Sequence, residues 1–295
     1  MRRFIINIVR ITSVISVIIL IICSIQLKLR QQEFNSVASE LNDVEYLFVG
    51  DSHVGLSFDF EPNSNCRTLW KSATNPIFSY ITLKGLYNSG CLGSVKCVVT
   101  EIGYQTFVPE FRDDWLRFHA VRLLPLMGNA WYDLYRFNLL SLHLPFDFIE
   151  FKWEGGFDER PQNLRMLSQL SRNEITKDVK SFSARWFTEP DGMEAIHKST
   201  DKVIDVLTQM NRWCKQNGIE LIVCSTPLYH ELLSEVTPYW RFQLKQVSDA
   251  LKREEIQYFN FMEMMDETDF RDSSHLTKDA ARRFTHIFMS LIREE

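Results

Sequence analysis

Residues 46–53 read Tyr-Leu-Phe-Val-Gly-Asp-Ser-His (YLFVGDSH), and the abrupt change of chemistry at Gly50 decides how the chain is understood. Tyr46, Leu47, Phe48 and Val49 have the apolar continuity of a short buried strand, and Gly50 ends it by admitting a backbone conformation that bulkier residues resist. Three side chains able to do chemistry follow at once. A polar turn at the carboxyl end of a strand is where open α/β sheets place their ligands. Four residues are equally an ordinary polar loop, so the remainder of the chain has to be read against both possibilities.

Working outward, the first strand covers Glu45 to Val49 and a second covers Arg67 to Trp70. "ITLKGLYNSG" (81–90) reads as the end of a helix stopped at Asn88 and Gly90, and "KCVVTEIG" (96–103) as a third strand. A long helical pattern from Met193 to Gln216 ends at Asn217-Gly218 and feeds a fourth strand, "IELIVCSTP" (219–227), broken by Pro227. A helix over Pro238 to Arg253, a fifth strand "IQYFNF" and a last helix from the N-cap Thr277 complete the series. Alternating strands and helices predict a parallel sheet covered on both faces, an α/β architecture. Residues 105–190 interrupt the rhythm with an aromatic-rich stretch, which reads as a largely helical insertion. It serves either as a packed cap or as an entrance to a site after strand three. Trp115, Trp131, Tyr132, Trp153 and Trp186 are the residues to test for sugar stacking.

The chain has 295 residues, 45% of them hydrophobic, which is enough for a sizeable core, and its net charge of -5 offers no basic face for a nucleic-acid partner. At the amino terminus, Ile11 to Leu27 is uncharged and extends an apolar lead-in from Phe4 to Val9. That length spans a bilayer, with Arg2, Arg3 and Arg10 ahead of it placing the amino terminus on the cytoplasmic side. No small-x-small cleavage site follows, so residues 1–30 are expected to be an uncleaved anchor, 31–43 a polar stalk and 44–295 an extracytoplasmic domain. The six cysteines are too scattered for a disulfide framework: Cys97 and Cys224 read as buried thiols, and Cys91 has the option of pairing with Cys97. No CxxC or His-rich cluster points to a metal, and no cofactor is implied. His119, His143, His197 and His230 lack metal-ligand spacing, Asp113-Asp114 reads as a solvated helix start, and Glu154 to Gly156 as a turn.

A serine hydroxyl needs a base to become a nucleophile, and that base needs a carboxylate to fix its tautomer. For Ser52 the segment "DFRDSSHLTKDAARRFT" supplies Asp272 and His275, in a loop after the fifth strand and before the last helix. In a parallel sheet this loop and the Ser52 loop open on the same edge.

On Gly50-Asp51-Ser52 after the first strand and Asp272-x-x-His275 near the end, the chain resembles the SGNH or GDSL hydrolases and their acyltransferase relatives. The resemblance covers about residues 45–103 and 193–295, and GDSH with DSSHL is most similar to a membrane-anchored, surface-polysaccharide-associated subgroup. It implies a flavodoxin-like three-layer α/β/α sandwich, with Ser52 as nucleophile, His275 as general base and Asp272 as its orienting partner. It also implies an acyl ester of a cell-surface glycan as substrate, and it leaves room for a membrane-bound acyltransferase as partner. The middle blocks depart from the family pattern. Where the family has a Gly after strand two, this chain has Ser72, Ala73, Thr74 and Asn75; where it has Gly-x-Asn after strand three, this chain has Gly103, Tyr104 and Gln105. Gln105 and Asn75 are the candidate oxyanion donors, and each is equally a loop residue bonded to its own backbone. Two other readings of Asp51-x-His53 remain: a metal pair of the calcineurin-like phosphoesterase kind, whose other segments are missing, and the Asp-His pair of alginate-type O-acetyltransferases, with the serine coming from elsewhere. In the Ser52 reading His53 caps or lines the turn. The altered middle blocks also fit a non-catalytic glycan-binding or scaffold protein.

Overall fold

The structure is a computed structural model that describes residues 39–70, 75–107, 169–187 and 193–293, together with residues 10–18 and isolated positions nearer the amino terminus. Trp115, Trp131, Tyr132, Trp153, Asp113-Asp114, Ser72 to Thr74 and most of the 105–190 stretch lie outside the described residues, as does the side chain of Trp186. Of the apolar segment at 11–27, residues 11–18 are described as a continuous helical run. Among the described residues no helix is long and apolar enough to cross a membrane.

Five strands form one parallel sheet: β1 (Tyr46–Gly50), β2 (Cys66–Trp70), β3 (Cys97–Glu101), β4 (Glu220–Ser225) and β5 (Gln257–Asn260), in the order β2-β1-β3-β4-β5. Every residue of β3 is buried, and all but the first of β1 and of β4 are, whereas the edge strands β2 and β5 are half-exposed in places. That gradient is what a sheet covered on both faces produces, and it explains why the central strands read as unbroken apolar runs.

The helices are α1 (Ser52–Ser57), α2 (Pro76–Asn88), α3 (Arg172–Trp186), α4 (Met193–Gln216), α5 (His230–Ser234), α6 (Pro238–Arg253) and α7 (Lys278–Arg293). α4 packs against both α2 and α6, while α7 packs against α1. Under α7 the core is aromatic: Phe48 of β1 meets Phe58 at 4.5 Å and Phe60 at 4.7 Å between ring centroids, and Phe288 lies 5.7 Å away. Phe261 and Phe284 extend the cluster at 5.3 Å from each other. α2 ends where Gly90 turns left-handed at φ 75°, and α4 ends at Gly218 with φ 70°, as their positions after the apolar periodicity require.

Two details differ from the sequence reading. The chain joins the core before residue 44, because Leu41 is fully buried and Val44 nearly so. Cys91 and Cys97 are both free thiols; Cys97 and Cys224 are buried, and burial pushes both thiols up.

The turn after β1 is held against the edge strand by a close approach. A Cβ built on Gly55 of α1 would lie 2.2–2.3 Å from the ring atoms of Trp70, which is itself buried. Gly55→Ala is therefore expected to lose about 1–3 kcal/mol of stability through overpacking. Urea unfolding of the full chain measures the loss, and combining the change with Trp70→Leu, which vacates the ring, should recover part of it.

Candidate active site

β1 lies between β2 and β3, so the chain turns one way after β1 and the other way after β2, and the carboxyl ends of β1 and β3 flank the point of reversal. Ser52 stands there as the first residue of α1. Asp51 is extended (φ -95°, ψ -159°) and caps the helix, its Oδ1 accepting the backbone N–H of His53 at 2.7 Å. Gly50 is not in the left-handed region. It is glycine for want of room, since a Cβ would stand 2.5 Å from Val54 Cγ2 and 3.3 Å from Glu101 Cγ.

The second half of the site is the loop 270–276, closed by an antiparallel bridge between Phe270 and Leu276 and by Arg271 N donating to His275 O at 3.0 Å. Inside it Asp272 Oδ1 accepts the backbone N–H groups of Ser274 (2.9 Å) and His275 (2.8 Å). Both carboxylate oxygens of Asp272 lie 3.0 Å from His275 Nδ1. Burial alone would raise the Asp272 carboxyl; the charge and hydrogen bond of His275, the Ser274 N–H and Arg271 outweigh it and hold the group well below the usual carboxylate range. An ionised carboxylate can only accept, so Nδ1 carries the hydrogen and Nε2 presents its lone pair. Nε2 lies 3.0 Å from Ser52 Oγ, across a separation of 223 positions in the sequence. Chemically this is a hydroxyl, a base able to take its proton, and a carboxylate that fixes the base.

Below it lies a buried cluster that the sequence reading did not find. Asp51, His53, Glu101 and Gln105 are each 5% exposed or less. His53 Nδ1 is 3.0 Å from Asp51 Oδ1, and Gln105 Nε2 donates to Glu101 Oε1 at 2.7 Å while standing 3.2 Å from His53 Nδ1. The His53 ring lies against that of His275, with centroids 5.0 Å apart and planes at 31°. His53 thus does more than cap the turn; it forms the floor under the base. Burial, and then the negative charge of Asp51, push the Glu101 carboxyl well above its usual range. Burial also acts to raise Asp51, but the charge and hydrogen bonds of His53 prevail and hold it low. Of the two carboxyls, Asp51 therefore holds a negative charge more readily than Glu101. Asp51, His53 and Glu101 are the group among the described residues whose potential ligand atoms come within 4.8 Å of one another, and hydrogen bonds already link Asp51 to His53 and Glu101 to Gln105.

The candidate oxyanion residues fall differently from Ser52. Asn75 caps α2, its Oδ1 accepting from Ile77 N at 3.0 Å and Phe78 N at 3.4 Å. Gln105 turns its amide into the buried cluster. Gly103 makes room for it, since a Cβ there would lie 2.2 Å from Gln105 Oε1 and 2.7 Å from Nε2. The extra methylene that separates Gln105 from an asparagine is what carries the amide to Glu101. A hint of the cluster was available in the sequence: Glu101 is the one charged residue in the strand CVVTE.

No family model matches the chain, and no curated protein matches it. Among solved structures, a Bacteroides fragilis protein described as a "putative acylhydrolase" aligns over 89% of this chain and 95% of its own, at 10% identity and a TM-score of 0.45.

Glu101 keeps its proton in the folded protein at pH values where glutamates of the unfolded chain, with an ordinary pKa of about 4.3, are ionised. Its contribution to stability is complete below about pH 4.3 and is lost as pH rises toward the folded-state value. Glutamine cannot ionise in either state, so the stability of Glu101→Gln relative to wild type should increase between about pH 4 and pH 8. Urea midpoints at the two pH values measure this, and a gap that does not change with pH would mean that Glu101 is ionised in the fold.

Proposed function

We propose that the chain is an extracytoplasmic, membrane-anchored serine esterase or O-acyltransferase of the SGNH type, acting on acyl esters, acetyl above all, of a cell-envelope polysaccharide. The observation that carries the reading is the 3.0 Å approach of His275 Nε2 to Ser52 Oγ with Asp272 on the opposite ring nitrogen. The anchor and the glycan rest on the apolar amino-terminal segment and on the GDSH and DSSHL resemblance.

In the proposed reaction His275 Nε2 takes the Ser52 proton as Oγ bonds to the acyl carbonyl carbon. Asp272 stabilises the imidazolium formed in that step. The tetrahedral intermediate collapses by breaking the carbonyl carbon's bond to the leaving alkoxide, which receives the proton from His275. Acyl-Ser52 remains. Water or a sugar hydroxyl then gives its proton to His275 and attacks the same carbon, and Ser52 is regenerated when its oxygen departs and is reprotonated. Water yields hydrolysis and a sugar yields transfer. The backbone N–H of Ser52 is the oxyanion donor that the resemblance implies. Asn75, its orientation fixed by the capping oxygen, is the side-chain candidate, in preference to Gln105.

The inward-facing Gln105 amide favours a second reading, a glycan-binding or scaffold protein that keeps the fold without turnover. A fluorophosphonate probe separates the two readings, because it labels an activated serine whatever the substrate. The full-length chain should be labelled at Ser52 and hydrolyse a 4-nitrophenyl acetyl ester, and Ser52→Ala should abolish both. Asp272→Asn should cut the esterase rate by about 10²–10⁴-fold through loss of the correct tautomer. Absence of labelling in the wild-type chain would favour the scaffold.

A further inference from the structure

Residues 169–187 dock on the loop that carries Asp272 and His275. Leu170 N donates to Arg271 O at 2.8 Å, and Gln169 Nε2 donates to Phe270 O at 3.3 Å. In the second turn of α3, one oxygen of Asp178 accepts both groups of Ser273: the backbone N–H at 3.1 Å and the hydroxyl at 2.5 Å. Ser273 is fully buried and Asp178 half-buried, so the bonds are sheltered from water on the serine side. α3 is itself braced, by Glu174 accepting from Ser171 N at 2.8 Å at its start and by Thr176 Oγ1 donating to Glu231 of α5 at 3.1 Å.

The position of Ser273 gives this contact its meaning. It follows Asp272 and precedes His275 by two residues, so whatever fixes Ser273 fixes the backbone between the carboxylate and the base. The bonds from Asp272 to the N–H groups of Ser274 and His275 stiffen the loop internally, but they do not set its distance from β1. That distance has to come from contacts outside the loop, and a half-buried carboxylate taking two hydrogen bonds is among the stronger ones available. Serine chemistry is steep in this coordinate, since a misplacement of about 1 Å at a reacting group costs on the order of a hundredfold.

We propose that Asp178 is a positioning residue of the reaction, which acts through Ser273 to hold His275 Nε2 within reach of Ser52 Oγ. The role rests on the serine reading above, and Asp178 itself touches none of the reacting atoms. α3 is then part of the site's frame as well as of its packing.

The test uses the full-length chain with Asp178→Ala, Asp178→Asn, Ser273→Ala and the Asp178→Ala/Ser273→Ala double variant. Fluorophosphonate labelling rates are measured, together with hydrogen exchange of the 270–276 backbone by mass spectrometry. Asp178→Ala should slow labelling by about tenfold and Ser273→Ala, which keeps the backbone N–H bond, by less, while the double variant should be no slower than Asp178→Ala, because that change alone removes both bonds. Asp178→Asn, which keeps an accepting oxygen and serves if the alanine variant does not fold, should lose only about threefold. Exchange in 270–276 should rise in Asp178→Ala. Lys180→Ala, on the same helix but exposed and outside the contacts described, should leave labelling unchanged. Wild-type labelling in Asp178→Ala, or losses that multiply in the double variant, would overturn the proposal, as would unchanged exchange. If the wild-type chain is not labelled while exchange still rises in Asp178→Ala, the serine reading fails and the clamp on the loop stands.

Discussion

All five strands run the same way, and this shared direction is the constraint on which the rest of the structure depends. It forces the turn after β1, the turn after β3 and the loop after β5 onto one rim, although they come from distant parts of the sequence. A hydroxyl on one loop and an imidazole with its carboxylate on another, far away in sequence, would ordinarily pay a large entropic cost to meet. Here the cost falls on the fold, through apolar burial in β1, β3 and β4 and the phenylalanine cluster under α7. The polar groups add only the final alignment.

That alignment uses carboxylates in two ways. Asp272 faces its own loop, where His275, the Ser274 N–H and Arg271 outweigh burial and keep it charged, and it orders the base above the serine. Asp51 is buried and is shared between a helix cap, the His53 ring and a neighbouring Glu101 whose carboxyl burial pushes up. Two Asp–His pairs therefore flank one serine, with their rings tilted against each other.

Much of this was legible in the chain. β1, β3 and β4 were visible because strands buried on both faces read as unbroken apolar runs, and α4 and α6 because their periodicity and stop signals coincide. Ser52 stood out because it follows directly on an apolar run, and Asp272 and His275 because a serine needs a base and a carboxylate and the loop before the last helix supplies the Asp-x-x-His pair of the resemblance. The cluster of Asp51, His53, Glu101 and Gln105 was not legible, since it depends on β1 and β3 being neighbours and on the reach of one glutamine. Asp178 carries no signal at all: on an amphipathic helix it looks like any other solvated acid. Gly50 was marked correctly as special but for another reason, as its neighbours Val54 and Glu101 leave no space for a Cβ.

Leu41 and Val44, sealed into the core just ahead of β1, tie the incoming chain to the opposite end of the sheet from Ser52. A strand of this length advances about 3.3 Å per residue, so roughly 17 Å of protein separates the point of entry from the serine. On the proposed anchoring, the tether leaves from the floor of the molecule and the reactive rim looks away from the lipid. Such an enzyme would meet polymer already extended into the envelope more readily than a headgroup at the bilayer surface, and the length of the stalk would set how far out it can work.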